Sequence, residues 1–123
     1  MATFAFLENQ IGLASQSLAL SASVTFNLDL RTMLGATLEL RNTGGGTVQA
    51  GAAVNIFAYT SSDGTTYSTT SITSPALPTV VNTLQSLSVF LDGGRRYQIK
   101  LTNTDSANAT VVAAVYSEIT GIA

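Results

Sequence analysis

The sequence predicts an all-β fold: one antiparallel β-sandwich or jelly roll of about seven to eight strands, led in by an N-terminal arm. Three observations carry that expectation. Apolar and polar residues alternate with a period of two along most of the chain, as in strands with one buried face. Clusters of Gly, Pro, Asn and Asp interrupt the alternation at short intervals. No stretch sustains a helical period bounded by caps. With 123 residues, 46% of them apolar, the chain suffices for one domain with a sizeable core. We assign residues 1–10 to the arm and residues 11–123 to the sandwich.

The elements come in order along the chain. Residues 10–21 carry Ile11, Leu13, Leu18 and Leu20 and read as a strand or an irregular arm. Val24, Phe26, Leu28 and Leu30 then share one face, with Thr25, Asn27 and Asp29 opposite. Leu38 and Leu40 alternate with Thr37, Glu39 and Arg41, and the run from Asn42 through Gly46 reads as a flexible loop. Residues 48–59 are mostly apolar and become β-branched and aromatic toward Tyr59. They predict a central strand buried on both faces.

The run from Thr60 through Gly64 is a turn, because Asp63-Gly64 supplies hairpin chemistry. A short strand is expected over residues 66–70. Pro75 and Pro78 mark residues 74–79 as a loop or a poorly paired edge. Leu87, Val89 and Leu91 alternate with Ser86, Ser88 and Phe90 before the Asp92-Gly93-Gly94 turn. Tyr97, Ile99, Leu101 and Asn103 form one face of the next strand, and a last strand runs over residues 109–118.

Composition excludes most chemistry. Cysteine, histidine and tryptophan are absent, so no disulfide, thiol nucleophile, Ser-His-Asp triad or imidazole metal site is available. We expect no enzyme, no cofactor and no metal. Charged residues make up 10% of the chain and the net charge is −2. The only adjacent basic pair, Arg95-Arg96, lies beside Asp92, which argues against nucleic acid. No apolar run has the length of a membrane span, and the aromatics form no girdles, so no membrane is expected. No basic residue precedes Arg31, and polar residues interrupt any apolar core near the N-terminus. A signal peptide is therefore not expected. Serine and threonine supply about a quarter of the chain, a soluble surface that repels its neighbours weakly and favours association.

The remaining candidates read as structural. Asp29 and Glu39, on strands expected to be neighbours, lie near Arg31 and Arg41 and suit cross-strand ion pairs better than a glycosidase pair. Asp63, Asp92 and Asp105 sit in turns without calcium-loop spacing. Gly44-Gly45-Gly46 and Gly93-Gly94 lack the Gly-Lys-Ser/Thr of a phosphate loop. Lys100 reads as a solvated edge charge, and Tyr97 as a corner tyrosine bonding upstream backbone. The termini differ. Phe4, Phe6 and Leu7 make the first residues apolar, and Ile119 and Ile122 do the same at the other end. An apolar terminus must be covered, either by its own sheet or by a neighbouring subunit. These five residues are the candidate assembly interface.

Two stretches carry a resemblance. Residues 54–67, VNIFAYTSSDGTTY, take an apolar-aromatic strand into a Ser-x-Asp-Gly turn and then an aromatic. Residues 91–105, LDGGRRYQIKLTNTD, take an Asp/Gly turn into Arg-Tyr and an alternating strand ending in Thr-Asn-x-Asp. Together they cover about a quarter of the chain and resemble small phage virion β-sandwich proteins of the capsid decoration, or cement, type. The resemblance implies a virion structural protein on the capsid surface, made in the host cytoplasm. Its implied partners are the major capsid protein or another virion protein, and copies of itself as a trimer or dimer. A neck, tail or fibre component is the next role the resemblance implies. Similar patterns occur in cell-surface and carbohydrate-binding sandwiches, and a carbohydrate- or host-surface-binding module would present Tyr59 or Tyr67 near a groove.

Overall fold

A computed structural model describes the backbone of residues 3–122 and the side chains of residues 10–120. Eight strands form: β1 (Thr3–Leu18), β2 (Ser23–Asp29), β3 (Gly35–Gly44), β4 (Ala53–Ser61), β5 (Ala76–Pro78), β6 (Leu84–Asp92), β7 (Arg96–Asn103) and β8 (Thr110–Ile122). They build two four-stranded antiparallel sheets in the orders β1-β8-β3-β6 and β2-β7-β4-β5. The chain changes sheet at every connection except β4 to β5, which is the jelly-roll arrangement. The expected all-β class and strand number hold, and the pairing order selects the jelly roll.

Alternation decides what each strand buries. Val24, Phe26 and Leu28 of β2 face Leu38 and Leu40 of β3 across the core. Val54, Ile56, Ala58, Ile99 and Leu101 extend it in one sheet, and Leu91, Val112 and Ala114 in the other. Tyr97 is fully buried, and its hydroxyl donates to the Asp92 carbonyl at 2.6 Å, the expected corner bond. Burial pushes its phenol above the usual range.

Several expectations change. Residues 48–52 are not strand, because β4 begins at Ala53. β4 is not buried on both faces, since Phe57 and Tyr59 stay half-exposed on its outer side. Residues 66–70 form no strand. Residues 62–75 are a loop that runs along the edge of β4, where Ser68 N and Ile72 N donate to the Thr60 and Ala58 carbonyls. The Asp63-Gly64 turn therefore closes no ladder. β3 continues through Asn42 to Gly44, so the glycine loop starts later. Lys100 stands on β7, between β2 and β4, and not on an edge. Asp29 and Glu39 belong to different sheets. Each carboxylate meets an arginine two residues on, Arg31 at 2.7 Å and Arg41 at 2.8 Å, so neither pair crosses strands.

Candidate assembly interface

The two longest strands are the terminal ones. β8 pairs with β3 from Gly44↔Thr110 to Gly35↔Ile119. Beyond Ile119, residues Thr120, Gly121 and Ile122 pair with Ala5, Phe4 and Thr3 of β1 only. A two-stranded ribbon therefore overhangs the sheet by three residue pairs, about 10 Å at strand spacing. Phe4 and Ile122 lie on this overhang, while Phe6, Leu7 and Ile119 stand at its root, with Phe6 opposite Ile119. The two termini, far apart in sequence, share one end of the molecule. Ile119 is half-buried, while the side chains of Phe4, Phe6, Leu7 and Ile122 lie outside the described residues. β1 runs without a break across the expected boundary at residue 10, so the backbone of residues 3–10 belongs to the sheet.

The outer face of the same sheet adds residues that sequence reasoning missed. Register sets Leu84, Thr43, Val111 and Ser17 in one row across the four strands. Ser88, Glu39, Val115 and Ile11 form another, and Phe90 stands beside Thr37 and Ser117. Ile11 is 70% exposed, Phe90 and Leu84 57%, and Val111 43%. At the centre Glu39 and Arg41 neutralise each other, which leaves little charge for a partner to match. One signal was legible: Phe90 is an aromatic on the face that otherwise carries Ser86 and Ser88.

A cleft of about 420 Å³ opens among the loop ends, lined by Arg31, Arg95 and the hydroxyl residues Thr60, Ser62 and Thr66. Asp29 grips Arg31 through both carboxylate oxygens and is itself held down to about 2 by that contact. Asp63 is spent on its own turn, accepting from the Thr66 and Thr65 amides and the Ser61 hydroxyl, and these bonds, the Thr66 amide first, hold it down to about 2. Among the described residues no group of acidic side chains is placed to hold a metal.

The sequence matches no family model and no curated protein. Solved structures match along nearly the whole chain. A chain from infectious bursal disease virus, Gx strain, superposes with a TM-score of 0.59 at 11% identity, over 97% of this chain and 32% of that one. Tailspike protein 4 of bacteriophage CBA120, in its enzymatically active domain, gives 0.58 at 12%, over 94% and 19%. Wild-type BuGH86 in complex with neoagarooctaose gives 0.58 at 14%, over 100% and 20%. This chain spans a third or less of each of those proteins. At such identities the likeness is one of fold.

Proposed function

We propose that this chain is a non-enzymatic virion structural protein of the capsid-decoration type. The carrying observation is the outer face of the β1-β8-β3-β6 sheet, with Ile11, Leu84, Phe90 and Val111 exposed and the terminal ribbon at one end. Four strands about 4.8 Å apart and about 30 Å long present on the order of 600 Å². With the ribbon, that approaches the roughly 800 Å² per partner of a stable protein interface. The face meets other copies of this chain and the major capsid protein, and repetition over a shell multiplies a modest affinity. The jelly roll shared with a chain of infectious bursal disease virus and a phage tailspike supports a virion setting. No cofactor, nucleic acid or membrane enters this reading.

Immunogold electron microscopy tests it, with an antibody to this chain on particles from the lysate in which the chain is made. Gold over the heads is the expected result. Gold confined to necks or tails would move the assignment to those parts, and unlabelled particles would overturn it.

A further inference from the structure

The opposite sheet presents a different surface, which the assembly reading does not use. The outward side chains of β4 are Asn55, Phe57 and Tyr59, those of β7 are Thr102, Lys100 and Gln98, and those of β2 are Ser23, Thr25 and Asn27. Register sets them in rows. Tyr59, Gln98 and Asn27 form one, and Phe57, Lys100 and Thr25 the next. The Phe57 and Tyr59 rings are half-exposed, with centroids 6.3 Å apart and planes within 14° of parallel. The two rings are therefore stacked nearly parallel, two residues apart along one strand.

The polar groups around the rings are unspent. Ser23 and Thr102 bond each other at 2.9 Å. In contrast, the side-chain amides of Asn27, Asn55 and Gln98, the Lys100 ammonium and the Tyr59 hydroxyl bond no other described residue. An apolar protein partner would strip water from these groups without replacing their hydrogen bonds, at a cost for every group left unpaired. A nucleic-acid strand would need a track of cations, and these two rows hold only Lys100. The matching occupant brings an apolar C–H face for the negative faces of the rings and hydroxyls for the amides. That is the chemistry of a pyranose, and two ring positions in line suit successive units of a chain.

We propose that the outer face of the β2-β7-β4 strands binds a neutral oligosaccharide, with Phe57 and Tyr59 as stacking faces and Asn27, Gln98 and Lys100 as hydroxyl partners. The test is an NMR titration of the ¹⁵N-labelled chain with millimolar cellohexaose, laminarihexaose, maltohexaose and mannohexaose in turn. At least one sugar is expected to shift the side-chain amide signals of Asn27 and Gln98 and to transfer saturation with the Phe57 and Tyr59 ring protons. Tyr59→Ala and Phe57→Ala should each weaken that sugar about tenfold. Gln98→Thr, a surface change that keeps a strand-favouring residue, should weaken it severalfold with an otherwise unchanged spectrum. It carries the test if an aromatic variant fails to fold. Silence toward all four sugars, shifts confined to the arginine-lined cleft, or unchanged affinity in the variants would overturn the proposal.

Discussion

Asn42 and Asn103 do the same work from opposite sheets. Each is fully buried, on β3 and β7 respectively. The Asn42 amide nitrogen lies 2.8 Å from the Thr79 hydroxyl and 3.2–3.3 Å from the Pro78 and Leu77 carbonyls, while its oxygen accepts from Thr110. Asn103 donates to the carbonyls of Leu18, Ala19 and Asn108, and its oxygen accepts the Asp105 amide at 3.0 Å. Asn42 thus ties the first sheet to β5 and to Thr79 just past its end, and Asn103 ties the second to the end of β1. Each satisfies backbone groups that a departing chain would otherwise leave buried and unpaired.

Replacing Asn103 with Leu keeps much of the volume and strands those partners. The expected loss is about 3 kcal/mol, at one to three for each unsatisfied group with partial relaxation. Urea unfolding followed by circular dichroism reads it, and a loss below about 1 kcal/mol would refute the tie.

Acid should destabilise the fold in a defined window. Asp105, 1% exposed, is held at about 2 against an ordinary 3.8, chiefly by the Gln49 amide and then by those of Ala107 and Asn108. Asp29 and Asp63 are lowered similarly. Because the folded values lie below the unfolded ones, the unfolded chain takes up protons first as pH falls. The stabilisation is therefore complete above about pH 4 and drains away toward about pH 2. Asp105→Asn should lose stability at pH 7 and flatten that acid limb. An unchanged slope between pH 4 and pH 2 would contradict it.

Two glycines should respond oppositely to alanine. A Cβ on Gly93 would sit 1.8 Å from the Met33 carbonyl oxygen, so the β2–β3 and β6–β7 connections would have to part. Nothing lies within 4 Å of one on Gly45. Gly93→Ala should cost more than about 2 kcal/mol. Gly45→Ala should gain about 0.4–1 kcal/mol by restricting the unfolded chain. Paired thermal melts decide, and equal effects would show that the contact at Gly93 does not matter.

Tyr97→Phe isolates the corner bond, because the ring stays in the core. A loss of about 0.5–1.5 kcal/mol is expected from one hydrogen bond. Tyr97→Ala also opens a cavity and should cost about 3–5 kcal/mol. If Tyr97→Phe proves neutral in urea, the hydroxyl contact with Asp92 is dispensable.

Light scattering on a sizing column tests self-association. The intact chain should run as an oligomer, and the chain lacking residues 1–8 as a monomer. Ile11→Asp and Phe90→Asp, on the exposed face, should dissociate it without unfolding, since neither side chain is in the core. A monomer in every case would leave the face without a second copy of this chain as partner.

Much of the fold was legible because alternation is local. Tyr97, Ile99, Leu101 and Asn103 could be placed on one face from spacing alone, and all four are buried. Residues 48–52 and 66–70 misled for a related reason: apolar or β-branched composition marks a residue that suits a strand but does not supply a partner for it. Residues 66–73 do run beside β4, yet through too few bonds to make a ladder. The aromatics of β4 were visible, and their half-exposure was not, because sequence does not say which outer face another layer covers.

The sequence by itself determined the strand class, the turns at Asp92-Gly93-Gly94 and Asp63-Gly64, and the inward residues of most strands. These are set by side-chain direction and backbone conformation over a few residues. Tertiary structure alone decided the pairing order, because any strand with one apolar face can pair with several others. It also brought Phe6 opposite Ile119, 113 residues apart, and set Asn42 and Asn103 as ties between layers. Such contacts are long-range, and no local spacing encodes them.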